Sequence, residues 1–356
     1  MTPMRLRRTA AGALVLVLAP ALLAACGEDA DASPGDVIPA RYDDQFEEGT
    51  RASVKVPLGT ILIRAEEPVT QVAADETREL QPLEAPPGMS FVPITWQYDS
   101  WSAGEYDPYL DTTEVPTVDL LADGEPYRLP SPDRKEEDGE SFYVLVDGDA
   151  TDRSLEIEFD GVVQRVDLVS GQREEGRAEP LYDLDDVGLR LKPCDTADWF
   201  DTADSAAQLS CDYRGPVMLP YAGGEWAEPG RQWLAISLET HMRGYALAGP
   251  EGGGAQYNAQ SIETEVLLDG QEPVHAISTG DTNDVCPVPG TGDCNFSKHL
   301  IFDVPADEEP EEITVEQAYR MVLGVRWGNF SPPDRVQAEG STTIRLGAGR
   351  GEDAED

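Results

Sequence analysis

Histidine is nearly missing from this chain, with only His241, His275 and His299 in 356 residues. A Ser-His-Asp centre needs an imidazole held between an acid and a nucleophile, and no Gly-x-Ser-x-Gly elbow occurs in the sequence. His-Glu-x-x-His is absent too, which removes the commonest zinc-hydrolase signature. His299 opens an expected strand and His275 follows an expected hairpin, positions that do not suggest a catalytic base. Lysine is almost as scarce: Lys55, Lys135, Lys192 and Lys298 stand beside 22 arginines, and 26 basic residues face 69 acidic ones for a net charge of −43. Nucleic acids and anionic headgroups are bound by neutralising Lys and Arg, so neither is an expected partner. Also lacking is any apolar run of the roughly 20 residues needed to span a bilayer. Helical periodicity is sparse, which argues against the α/β architecture of solute-binding proteins. The glycine clusters Gly252–Gly254 and Gly347–Gly351 lie in a loop and a tail, not between a strand and a helix, so they make no phosphate cradle.

The longest apolar run is Ala10 to Ala25, preceded by Arg5, Arg7 and Arg8 without an acid. A basic segment followed by a short apolar one has the layout of a secretory signal peptide, here residues 1–25. The run ends in Leu23-Ala24-Ala25-Cys26-Gly27, which resembles the lipobox of bacterial lipoproteins. That resemblance implies acylation of Cys26 and localisation of the exported chain at the outer face of the cell membrane. Removal of residues 1–25 takes three arginines and leaves 23 basic against 69 acidic residues, a charge of −46. So acidic a chain has no electrostatic means of staying at an anionic membrane, and attachment falls to the lipid. The preference for Arg over Lys, with abundant Ala, Gly and Pro, suggests a high-GC genome such as an actinobacterium's.

Residues 26–49 are acidic and poor in aliphatics and read as the lipidated cysteine with a disordered tether. From residue 50 onward short alternating apolar runs are broken by Gly, Pro and Asp. Examples are Phe91-Val-Pro-Ile-Thr-Trp96, Phe142-Tyr-Val-Leu-Val146 and Leu155-Glu-Ile-Glu-Phe159. Period-two runs between turn signals indicate an all-β sandwich. The pattern then recurs. The run from Phe91 matches Trp233-Leu-Ala-Ile-Ser-Leu238, and Val118-Asp-Leu-Leu-Ala-Asp-Gly124 matches Thr264-Glu-Val-Leu-Leu-Asp-Gly270 at a shift of 146. Phe142–Val146 matches Leu300–Val304 and Leu155–Ile157 matches Ile313–Val315, both at 158, while Val166–Leu168 pairs with Ile344–Leu346. Two tandem β-sandwich domains are therefore expected, over 50–175 and 187–348, joined by a linker at 176–186 and followed by an acidic tail at 349–356. Residues Thr196 to Ser210 have the start signals of a short helix, and Thr314 to Val325 reads as either helix or strand.

Cys194, Cys211, Cys286 and Cys294 are an even set in an exported chain, which implies two disulfides. Of three possible pairings, the shortest loops give Cys194–Cys211 and Cys286–Cys294. All four lie in the second half, so the first half is expected to stand on its core alone.

His299-Leu-Ile-Phe-Asp-Val-Pro, followed by a polar turn and Ile313-Thr-Val315, resembles a segment of the immunoglobulin-like domains of actinobacterial and firmicute secreted lipoproteins. The hairpins at Leu267–Gly270 and Leu121–Gly124 resemble the same domains. The likeness covers about a third of each domain and is structural, with no catalytic residues to carry over; no cofactor is expected, apart from weak calcium binding, and no metal-site residues are assigned. In the first half, Val144-Leu-Val-Asp-Gly148 departs from it by lacking the Val-Pro pair.

For function, the most informative segment is Trp96-Gln-Tyr-Asp-Ser-Trp101-Ser-Ala-Gly-Glu-Tyr106-Asp-Pro-Tyr109, with five aromatics in 14 residues. Alternation points Trp96 into the core. Trp101, Tyr106 and Tyr109 fall in a loop, where aromatics stack on sugars, anchor a protein partner or fold back as a small satellite core. Asp147-Gly-Asp149-Ala-Thr-Asp152 and Asp183-Leu-Asp185-Asp186 offer oxygen donors of the kind that bind calcium weakly outside cells, without EF-hand spacing; solvated acidic turns would look the same. The expectation is a non-enzymatic envelope-binding lipoprotein with a protein or glycan partner. The alternative is an extracytoplasmic hydrolase acting on envelope glycans through a carboxylate pair.

Overall fold

The computed structural model describes residues 32–133, 139–184, 189–194, 205–279, 286, 294–308 and 310–346. The signal peptide, Cys26, Asp185, Asp186, Gly347–Gly351 and the acidic tail lie outside these. No helix among the described residues is long and apolar enough to cross a membrane.

The chain is an all-β sandwich built from antiparallel sheets. Its first half contains β1 (Val37–Pro39), β2 (Thr50–Val56), β3 (Gly59–Ala65), β4 (Gln71–Val72), β5 (Leu83–Glu84), β6 (Met89–Asp99), β7 (Thr117–Ala122), β8 (Glu125–Leu129), β9 (Glu140–Asp147), β10 (Arg153–Phe159), β11 (Val162–Asp167) and β12 (Arg173–Glu174). Two five-stranded sheets, β1-β9-β6-β3-β2 and β12-β11-β10-β7-β8, face each other. Ile63, Ile94, Trp96 and Val144 of one sheet meet Leu120, Leu155, Ile157 and Val166 of the other in a single core. The unbroken apolar runs in β6 and β9 have a local cause. Their second faces are covered as well, with Phe91, Tyr143 and Leu145 packing against Phe46 and Val72. A strand buried on both faces has no reason to alternate.

The second half contains β13 (Leu191–Pro193), β14 (Ser205–Leu219), β15 (Tyr221–Ala222), β16 (Glu225–Trp226), β17 (Arg231–Ala248), β18 (Gly254–Leu268), β19 (His275–Ser278), β20 (Cys294–Pro305), β21 (Glu312–Trp327) and β22 (Arg335–Arg345). One eight-stranded sheet folds onto itself around the long β17. That strand pairs with β20 through Met242 and with β18 from Tyr245 to Ala248. The change of partner coincides with a bulge at Arg243, where Leu209 pairs Met242 and Gln208 pairs Gly244, as a bulge lets a strand bend away from its neighbour. The layers β19-β20-β17-β14-β13 and β18-β21-β22 enclose Leu234, Ile236, Phe302, Val315 and Tyr319. Cys194–Cys211 and Cys286–Cys294 are disulfide-bonded.

Both halves share one strand order, β9-β6-β3-β2 against β20-β17-β14-β13 and β11-β10-β7 against β22-β21-β18. Ile94 pairs Phe142, and its sequence counterpart Ile236 pairs Leu300, the counterpart of Phe142. The hairpins match in detail. Asp123-Gly124 and Asp269-Gly270 are both left-handed, as a two-residue type I′ turn requires. Asp123 carboxylate oxygens accept from Ala150 N at 2.9 Å and Asp152 N at 3.2 Å. Those of Asp269 accept from Glu311 N at 3.3 Å and Glu312 N at 3.2 Å. This correspondence corrects the sequence alignment downstream by two residues. Leu120 pairs Leu155, and its counterpart Val266 pairs Val315, not Ile313. A two-residue slip preserves the strand face, so alternation alone could not detect it.

Several expectations about boundaries change. The tether is shorter than 26–49, because β1 pairs with β9 and Ala40 and Phe46 are buried. The segment expected as a linker is docked: Gly176–Leu181 forms a 3-10 turn whose Ala178 and Leu181 join the first core. The first half does not stand alone, since Tyr221 and Trp226 of the β15–β16 hairpin enter its core. The described residues from Ser33 onward form one compact unit. The helix expected over Thr196–Ser210 is wrong where it is described, because Ser205–Ser210 begins β14, with Ala207, Leu209 and Cys211 alternating onto the core. The ambiguous Thr314–Val325 is strand.

Candidate functional site

Between β6 and β7 the chain makes a 3-10 segment, Ser100–Tyr106, and a single helical turn, Asp107–Leu110. Asp99 starts it, its carboxylate accepting from Trp101 N at 3.1 Å. Gly104 supplies the left-handed kink inside it, and Pro108 sits in the first turn of the second piece. The three loop aromatics separate sharply. Trp101 is 81% exposed, Tyr106 is half-buried, and Tyr109 is only 1% exposed. Tyr109 is therefore not a surface ligand contact. It belongs to a cluster with Leu189, Val217, Leu219, Trp233 and Ile301 on the outer face of the second half's sheet.

The docking is polar as well as apolar. Tyr109 Oη lies 2.8 Å from Ser237 Oγ, which lies 2.7 Å from His299 Nδ1. The rings of Tyr109 and His299 meet edge to face at 5.2 Å. Strand register lines up the partners, since Arg214, Ser237, His299 and Ile277 form one row across β14, β17, β20 and β19. Gly223 N donates to Tyr109 O at 2.9 Å and Gly224 N to Leu110 O at 2.7 Å. The Glu105 carboxylate accepts from Leu189 N. Burial, with the nearby Arg214 guanidinium adding to it, pulls the His299 pKa down. Burial pushes the Tyr109 phenol up.

A serine hydrogen-bonded to a histidine invites comparison with a nucleophile and base. Here Tyr109 occupies the other side of Ser237, and the charge beside His299 is a cation, which opposes the imidazolium a general base must form. The arrangement is suited to holding the loop rigid, and what the rigid loop presents to solvent is Trp101. Sequence reading placed the aromatics together but missed Ser237, because one serine within a strand carries no signal.

The remaining histidines have local partners. His275 Nε2 is 3.0 Å from Glu225 Oε1 and its ring abuts Trp233. His241 lies within β17. The acidic turn Asp147–Asp152 is organised by Asp123, which binds its backbone amides, and among the described residues no three His, Cys, Asp or Glu side chains gather as a metal cluster. A Cβ at Gly249 would meet the Phe330 ring at 2.5 Å and one at Gly253 would meet the Phe330 Cβ at 3.0 Å, so those glycines serve packing. One carboxylate is pushed upward: Glu66, by burial first and then by Glu48 and Glu76. Both neighbours are exposed. A groove of about 510 Å³ between the Gly176–Leu184 segment and the turn after β16 is lined by Arg177, Leu184, Met218, Trp226 and Arg231 among others.

Comparison with known proteins finds no family that matches this chain and no curated protein that matches it.

Proposed function

We propose that this chain is an exported lipoprotein, anchored through Cys26 to the outer face of an actinobacterial cell membrane, whose immunoglobulin-like sandwiches bind an envelope protein or glycan without catalysis. The observation that carries the binding reading is Trp101, fully presented on a loop whose other aromatics are pinned against the second half. A large exposed ring on a loop whose backbone is docked contributes contact area with little ordering of the chain, which is what binding hot spots require. The sandwich, the two disulfides and the signal-like N-terminal sequence, with Arg5, Arg7 and Arg8 before an apolar run, support an extracytoplasmic setting. The test is capture from solubilised envelope by the chain and by Trp101→Ala. Recovery of a protein or glycan with the parent chain and its loss with the variant is the expected result; equal recovery, or none, overturns the reading.

The hydrolase reading has one observation of its own, the raised Glu66 carboxyl beside Glu48 and Glu76. Release of reducing ends from envelope glycan by the parent chain, and not by Glu66→Gln, would favour it over the binding reading.

A further inference from the structure

Among the described residues, strand β22 is the last strand of the eight-stranded sheet, and its strand partner along its whole length is β21. It is 11 residues long, whereas β13 and β19, the other ends of that sheet, have three and four. Its counterpart in the first half, β11, is covered by β12 and by the Gly176–Leu181 turn. Natural sheets protect long edges with proline, bulges or an inward charge. β22 has no proline, no bulge and no inward charge, and its pairing to β21 runs without a register shift; the one edge device it carries is outward charge, at Arg335, Glu339 and Arg345.

We infer that β22 is a homodimerisation edge, on which a second copy of this chain adds its own β22 antiparallel about a two-fold axis at Thr342. Two registers set Glu opposite Arg, one about Thr342 and one about Gln337 (Arg335 against Glu339), and the first pairs seven residues of β22 where the second pairs five. Pairing about Thr342 places Glu339 opposite Arg345, and two-fold symmetry makes that pair twice. It sets Ser341 opposite Thr343 on the same exposed face, while Ala338 and Ile344 stay on the core face. Pairing about Gly340 would instead set Arg335 against Arg345, like charges directly opposite, which is destabilising. The chosen register joins two eight-stranded sheets into one continuous sheet through main-chain hydrogen bonds, the mode by which exposed edges recruit strands. It does not depend on what Trp101 binds.

Each chain carries −43, so the test is made at an ionic strength of about 0.15 M or above, where the screening length is about 8 Å or less. Sedimentation equilibrium of the full chain in detergent should show a monomer–dimer equilibrium. Glu339→Arg or Arg345→Glu alone, each turning two attractions into two repulsions, should weaken it about tenfold or more, which corresponds to about 1.4 kcal/mol. The double exchange Glu339→Arg with Arg345→Glu should restore it. Both side chains are exposed, and circular dichroism checks that the variants remain folded. A parent chain that stays monomeric at about 100 µM overturns the proposal (a dissociation constant above that corresponds to about −5.5 kcal/mol or weaker). So does a dimer that ignores the single charge changes, or one that the double exchange fails to restore.

Discussion

Trp226 donates its indole N–H to the carbonyl of Phe159 at 3.1 Å, a bond from the second half of the chain to the last strand position of β10 in the first. Tyr221, next to it in the β15–β16 hairpin, sets its ring against Phe159 at 5.5 Å and against Trp226 at 5.2 Å. The second half thus completes the first half's core. Trp226→Ala should cost about 3–5 kcal/mol, the usual loss for emptying a large aromatic site. Because the residue bridges the halves, chemical denaturation should lose both in one transition in the parent chain. A parent chain that melts in two separated steps would show that the shared core does not couple them.

Tyr109 offers a milder probe of the second contact between the halves. Tyr109→Phe keeps the ring among Leu189, Leu219 and Trp233 but removes the hydroxyl from Ser237. The expected loss is about 0.5–1.5 kcal/mol, the net worth of one hydrogen bond. Denaturant midpoints read it directly, and Ser237→Ala should cost a similar amount without adding fully to the first, since the two share a bond.

His299 makes that junction sensitive to acid. Its folded pKa lies below the unfolded value of 6.5, through burial first and Arg214 second. As pH falls through 6.5 the unfolded chain takes up the proton and the folded one does not. Stability is therefore full above that pH and is lost on acidification until the folded pKa is passed. Protonating the many carboxylates acts on stability at the same time, so the readout is a difference. The thermal midpoint of the parent should fall relative to His299→Gln between pH 7.5 and 5.5. An unchanged gap between the two proteins across that range would remove His299 from the account.

The paired hairpin aspartates give a symmetrical prediction. Asp123→Ala and Asp269→Ala each strip a charged acceptor from two backbone amides. Hydrogen bonds to charged groups contribute about 1.5–3 kcal/mol, and exposure at these turns places both near the lower end. Asn at either site should recover most of the loss, because it keeps one acceptor oxygen and tolerates the left-handed backbone.

The anchor is tested apart from the fold. With Cys26→Ala, the chain should leave the membrane fraction and appear folded in the medium, since its charge offers no other attachment. A variant that stays firmly membrane-bound would overturn lipidation at Cys26.

Strand positions were legible in the sequence wherever one face of a strand meets water, as in β10, where Leu155, Ile157 and Phe159 alternate with the half-exposed Glu156 and Glu158. The repeated Asp-Gly turns were legible because their left-handed backbone restricts the residues that fit. The aromatic loop could be seen as a cluster, but which ring is free could not, since Trp101 and Tyr109 differ only in what the distant β17 and β20 place beside them. The helix expected before Cys211 failed for a related reason: cap residues signal a helix start, but Ala207, Leu209 and Cys211 follow the strand period that the core enforces.

The amino-acid sequence by itself determined the all-β class and the turn-bounded strand runs shared by the two halves, because alternation and turn chemistry are local properties; it left three pairings of the four cysteines, of which the structure holds the one with the shortest loops. Only the tertiary structure decided that the described residues from Ser33 onward pack as one unit, that the described part of the segment expected as a linker is docked, and that Ser237 and His299 hold Tyr109. Those outcomes depend on contacts between residues 62 to 128 positions apart, and no local pattern encodes which distant surface a side chain will meet.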